Sequence, residues 1–332
     1  MLTTVVYDSY WRFAAERLAM FYRRLAGAPA PWTDDPILFT HRFTNTYRAA
    51  DRVSQYLISE VQCGAGRSSE PQEVFFRTLL FKIFNRVDTW EALEAKLGPL
   101  ALSRVSFEAI DDTLHHLLAR GRKIYSAAYI MPAPPFGNVR KHSNHLALLA
   151  QMLDDRVPDR LRQAPSLAAA YELILRYPGL GRFLAFQYVI DLNYSSLMDF
   201  NEYEFVVAGP GALDGIAKCF SDTGGRTAEN VIHWVCERQD EEFRQRGLPF
   251  EGLFGRPLQP IDCQNLFCEI SKYARVAHPD VQGTSGRTRI KQIYRPDPQP
   301  LPPLTFPERW GLHPPAFASA SAVQMQGQLA LV

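Results

Sequence analysis

No stretch of this 332-residue chain is apolar for long enough to cross a membrane. The first residues carry Asp8, Arg12 and Glu16 inside their apolar pattern, so no secretion signal is expected and a cytoplasmic protein is. Cysteine is scarce. Cys63, Cys219, Cys236, Cys263 and Cys268 are odd in number and scattered, so neither a disulfide scaffold nor a tightly spaced iron–sulfur ligand set is expected. Neither sign of charge is in excess: 36 Lys and Arg face 35 Asp and Glu, a formal net charge of +1, which gives no whole-chain sign of nucleic-acid binding. There is no Gly-x-x-x-x-Gly-Lys-Ser/Thr run to cradle a nucleotide phosphate, and Gly209-Pro210-Gly211 lacks the strand–turn–helix context of a dinucleotide loop. His142 and His145 have no acidic or sulfur partners at ligand spacing. Neither a metal nor a cofactor is expected, and no internal repeat is present.

What the chain does have is a core and helical periodicity. With 46% hydrophobic and 12% aromatic residues it can bury one large or two closely packed domains. Trp11, Leu18, Phe21 and Leu25 share a stripe in residues 7–25, and Phe75, Leu79, Ile83 and Phe84 share another in 70–95. Further helices are expected over 100–118, 140–153, 212–220, 227–245 and 261–276. Only residues 205–208 hint at a strand, so the expected fold is all-α. Residues 1–295 read as one helical domain of two packed lobes. Residues 296–332 are Pro-dense and aperiodic, a tail expected to be poorly ordered.

Residues 171–211 organise the rest. Ser166 is placed to cap a first helix, Pro178 stops it, and Gly179 and Gly181 form a turn that frees backbone amides at the start of a second helix near Arg182. Such a helix N-terminus attracts a phosphate. The same pattern also suits an ordinary helical hairpin. Residues 271–295 hold Lys272, Arg275, Arg287, Arg289, Lys291 and Arg295 against Asp280 alone. In residues 41–60, Thr44 or Asn45 is placed to cap a helix that gathers Arg48, Asp51, Arg52, Gln55 and Ser59 on one face. That face suits DNA or a set of ion pairs within the helix.

Tyr177-Pro178-Gly179-Leu180-Gly181 resembles the hairpin of the helix-hairpin-helix DNA glycosylases, with Tyr177 replacing the usual Leu. The resemblance implies a catalytic Asp about five helical turns past the second Gly. Asp199 falls in that window, Glu202 and Glu204 compete with it, and Asp191 is the remaining alternative. Phe183 stands where bifunctional members carry a nucleophilic Lys, so an intact abasic product is implied. The blocks PWTDDPIL, RFTNTYRAADRVSQYLI, FKIFNRVDTW, KHSNH, DLNYS and EFVVAGPGALDGI are similar to the helical domain family named after 5-hydroxymethyluracil DNA kinases. Relatives of that family are the α-glutamyl/putrescinyl thymine pyrophosphorylases.

This similarity runs from about residue 10 to about residue 294 and implies an enzyme on hypermodified, phage-type pyrimidines in double-stranded DNA. The first expectation is a monofunctional glycosylase that flips and excises the modified base, with defence against phage DNA as its setting. The second is a transferase that replaces an activated 5-methylene substituent of thymine with an amine. The third is a module that binds modified DNA without chemistry. On these readings Gly179, Gly181, Arg182, Arg48, Arg52, Gln55, Lys272, Arg287, Arg289 and Lys291 hold DNA. Tyr194, Phe200, Tyr203 and Tyr129 line the base pocket. The oligomeric state is left open.

Overall fold

The computed structural model describes residues 1–297 and 299–315. In chain order its α-helices are α1 (Val5–Leu25), α2 (Pro36–Thr40), α3 (Arg52–Tyr56), α4 (Pro71–Phe84), α5 (Val87–Leu97), α6 (Phe107–Ala119) and α7 (Lys141–Asp154), followed by α8 (Val157–Arg162), α9 (Leu167–Leu175), α10 (Arg182–Asn193), α11 (Pro210–Cys219), α12 (Ala228–Glu237), α13 (Gln239–Gln245) and α14 (Pro260–Ala277). The fold is all-α. Two short strands, β1 (Leu2–Thr3) and β2 (Phe220–Asp222), form one antiparallel pair. Residues 205–208, where a strand was expected, are irregular. No helix among the described residues is long and apolar enough to cross a membrane.

The chain divides into two compact units. Among the described residues the first comprises Met1–Asp51, those of Val206–Leu304, and 311–315; the second comprises Arg52–Phe205 with Thr305–Trp310. In the first unit α1 supplies Tyr10 and Trp11, both fully buried, with Tyr10 4.7 Å from Phe267 of α14 and Trp11 edge-on to Phe243. Helices α11 and α14 pack so closely that a Cβ on Gly215 would stand 1.9 Å from the carbonyl oxygen of Phe267. A capping box opens α14, with Asp262 and Gln259 satisfying each other's backbone N–H groups. Burial pushes the Asp262 carboxyl up to about 6, although it also accepts the Arg48 backbone N–H at 2.9 Å.

In the second unit α4 is buried on every side from Val74 to Phe84, which is why its apolar residues run nearly unbroken. Asn85 ends it in the left-handed conformation at φ 48°. The single helix expected over 41–60 is instead a 3-10 turn (Arg48–Ala50), α3, and a π-helix over Leu57–Gln62. The wider π turn carries the Gln62 amide to Thr78 Oγ1 at 3.2 Å and to the Asp191 carbonyl at 2.8 Å. Helix α9 is capped by Ser166, whose hydroxyl accepts from the Ala169 N–H.

The expected tail divides as well. Residues 305–310 belong to the second unit: Gln55 donates to the Thr305 carbonyl at 3.0 Å and accepts its N–H at 2.9 Å, and Glu308–Trp310 forms a 3-10 turn. The part of that expectation covering residues 316–332 lies outside the described residues.

Candidate functional site

The hairpin forms as the sequence suggested. Helix α9 ends before Tyr177, whose hydroxyl donates to Asp155 at 2.9 Å, and Leu180 N–H returns to the Tyr177 carbonyl. Gly179 sits at φ 81°, which favours glycine, and a Cβ there would meet Pro134 at 3.3 Å. Gly181 does not use positive φ. It is the extended N-cap of α10 (φ −74°, ψ 170°), no side chain caps that end, and a Cβ would meet nothing within 4 Å. Arg182 is exposed beside it.

Helix α10 shows almost no amphipathicity because nearly all of it is buried, and one acid goes in with it. Asp191, 0% exposed, pairs with Lys82 of α4 at 2.9 Å, and the ammonium also donates to Asn85 Oδ1 at 2.8 Å. The Tyr129 ring lies over that ammonium, 5.1 Å from centroid to Nζ, and its hydroxyl donates to Gln187 at 3.4 Å. Of the four acids singled out, Asp191 is thus the charge partner of a core lysine. Tyr129 is half-buried over the pair and tilted against Phe183.

Asp199 lies beyond the end of α10 in a loop, its side chain 79% exposed and paired with Arg309 at 2.9 Å. Arg309 also reaches buried Glu202 at 3.7 Å and donates to the carbonyl of Asn193. Asn193 in turn holds the loop, accepting the Phe200 N–H at 2.9 Å and donating to its carbonyl at 3.0 Å. Glu204 is exposed and accepts from Asn201. Tyr194 is buried edge-on to Trp310, Phe200 is half-buried and Tyr203 is exposed. Asp199, Glu202 and Tyr194 therefore gather under residues 309–310, a segment that sequence reasoning had placed in the tail.

The residues assigned to DNA are dispersed. Arg48 is buried in the first unit, and Gln55 is buried against Thr305 in the second, so neither presents the polar face expected of 41–60; Arg52 is exposed. In the first unit Lys272 is bound to Glu269 at 2.8 Å and sits 4.5 Å from the Phe43 ring centre, whereas Arg287, Arg289 and Lys291 are exposed.

Sequence reasoning missed Lys82, Asn85, Gln62 and Arg309. The signal for Lys82 was a cation, like Arg77, inside the largely apolar run of α4, where only buried partners make a charge tolerable. His145, set aside in the sequence as a metal ligand, is fully buried. Burial lowers its pKa to about 4, and the neutral ring accepts from the Tyr125 hydroxyl at 2.7 Å while donating to the Pro132 carbonyl at 2.9 Å. An unfolded imidazole titrates near 6.5, so between about 6.5 and 4 the unfolded chain binds the extra proton. Stability is then full above that window and falls by about 3 kcal/mol as pH drops through it. Urea denaturation at both ends should show this slope in the wild type and a flatter one in His145→Gln; equal slopes would remove His145 as the cause.

The family described as "5-hmdU DNA kinase, helical domain" matches residues 4–283. A "5-hmdU DNA kinase" from Bacillus phage SP10 is 25% identical over 286 residues, which is 81% of this chain and 45% of that protein. The chain thus spans less than half the length of this curated relative. No solved structure matches. The chain belongs to the family of the 5-hmdU DNA kinase helical domain. This bears out the family resemblance and corrects the expected activity, because the relative is named a kinase, a transferase, and not a hydrolase of the glycosidic bond. Among the described residues no three His, Cys, Asp or Glu side chains are grouped to hold a metal ion.

Proposed function

We propose that this chain engages DNA containing 5-hydroxymethyluracil-type bases and presents the base for group transfer at its 5-substituent. The observation that carries the reading is the α9–α10 hairpin, where Gly179 turns the chain and α10 begins at an uncapped Gly181 beside exposed Arg182. Backbone amides and the helix dipole there suit a DNA phosphate. The name of the phage relative supports the substrate class, and the family match over residues 4–283 supports its transfer to this chain.

Chemistry at a 5-hydroxymethyl oxygen leaves the glycosidic bond intact and asks the protein for two things. The nucleotide has to be held, and its substituent turned toward a donor, with extrusion costing a few kcal/mol if the base leaves the stack. No donor-nucleotide step is assigned to these residues, since they contain no Gly-x-x-x-x-Gly-Lys-Ser/Thr run.

Duplexes differing only in thymine or 5-hydroxymethyluracil test the proposal by fluorescence anisotropy across a salt series. The modified duplex should bind more tightly, and Arg182→Ala should flatten the log–log salt slope by about one unit. Equal affinity for both duplexes would remove the modified base from the function, and no binding to either would remove DNA.

A further inference from the structure

In the first unit a cavity of about 100 Å³ lies between α11, the end of α14 and the loop that follows it. Its charged lining is Asp214 and Lys218 from α11, Arg275 and His278 from the end of α14, and Arg287 from the loop. The acid is already committed. Asp214 accepts from the Ser271 hydroxyl, from the Ser285 N–H at 2.7 Å and from Lys218 at 3.4 Å, and these contacts hold its pKa below the ordinary carboxylate value against the opposing effect of burial. Gly283 crosses so close that a Cβ would fall 2.3 Å from the Asp214 carboxylate. This cluster accounts for the loop's anchoring and balances Lys218.

It leaves two guanidinium groups unbalanced. Arg275 donates to the Arg289 carbonyl at 3.1 Å, but its Nε is buried without a hydrogen-bond partner. Desolvation lowers its pKa first of all; Asp214 and Glu269 oppose this through space without a direct contact to the guanidinium, and nearby Arg287 pushes the same way as burial. Arg287 makes no ion pair among the described residues; its backbone N–H is held by Ser285. With Lys218 set against Asp214, the cavity carries two positive charges in excess before His278 titrates.

We propose that this cavity binds one phosphate-type oxyanion, gripped by Arg275 and Arg287. A planar guanidinium suits such a ligand because it donates through parallel N–H bonds. The volume of about 100 Å³ exceeds the ~30 Å³ share of a water molecule in the liquid and leaves room for a tetrahedral anion. The inference does not depend on the DNA proposal. The phosphate is either a free anion or a backbone phosphate at the mouth of the cavity, and the two sources share this chemistry.

Isothermal titration of the full chain with inorganic phosphate, at constant ionic strength against chloride, tests it. Binding is expected in the wild type and should weaken at least about tenfold in Arg275→Met and in Arg287→Met. Arg287 is exposed, so its variant keeps the test valid if Arg275→Met fails to fold; Arg295→Met, outside the cavity, should bind as the wild type does. A second arm identifies the source. If DNA supplies the phosphate, Arg287→Met loses duplex affinity and inorganic phosphate competes with duplex; if the ligand is free, duplex affinity is unchanged in that variant. No heat with phosphate, or undiminished binding in Arg287→Met, overturns the proposal.

Discussion

Lys82→Met is expected to lower the unfolding free energy by about 3–5 kcal/mol, because it takes from the buried Asp191 carboxylate the ammonium that lies 2.9 Å away. Both partners are withdrawn from solvent, at 5% and 0% side-chain exposure, so water cannot replace the lost contact. Asp191→Leu should cost a similar amount for the mirrored reason, as it leaves the ammonium beneath Tyr129 with Asn85 as its remaining strong acceptor. The double variant Lys82→Met with Asp191→Leu removes both charges at near-constant volume. It should recover most of the loss, since an apolar pair avoids the desolvation that the native pair has to overcome. Urea denaturation of the four proteins gives the cycle. If the double variant is as unstable as the sum of the singles, the two groups are not energetically coupled and the geometry has been misjudged.

Gly215→Ala should cost as much or more, although it adds a single methyl group to a helix and removes the conformational freedom that usually disfavours glycine there. An added Cβ meets backbone: the Phe267 carbonyl oxygen at 1.9 Å and its carbon at 2.7 Å. Neither atom rotates away as the end of a side chain would. Helices α11 and α14 have to separate, and the packing of Tyr10 and Phe220 on Phe267 loosens with them. A cost of about 4 kcal/mol or more follows, at the upper end of single substitutions. Thermal unfolding measures it, with Gly181→Ala as the comparison. That site has negative φ and open space around its Cβ, so its melting temperature should be unchanged. A Gly215→Ala protein that melts with the wild type would show that the helices do not approach this closely.

The apolar periodicity of Trp11, Leu18 and Phe21 was sufficient for α1, and Ser166, Pro178 and Gly179 were sufficient for the hairpin, because those signals act within a few residues of the backbone they shape. The division of the 41–60 block was not legible. Arg48 turns inward because Asp262 accepts its backbone N–H, and the π turn at 57–62 delivers Gln62 to Asp191. Both partners are more than a hundred residues away. The same distance hid the buried pair of the site: Lys82 and Asn85 belong to FKIFNRVDTW and Asp191 to DLNYS. Those family-like blocks were recognisable as words before their shared burial could be seen.

Asp199 was singled out by counting helical turns, but α10 ends at Asn193, so the count did not carry into the loop. What holds Asp199 is Arg309, from a segment whose prolines suggested disorder. By itself, then, the sequence determined the helical class, the hairpin and the family, since each is written in local pattern or in words of neighbouring residues. Only the tertiary structure decided which charges are paired, which are buried and which stand unbalanced, because the energy of a charge depends on the solvent and partners around it and not on its neighbours along the chain.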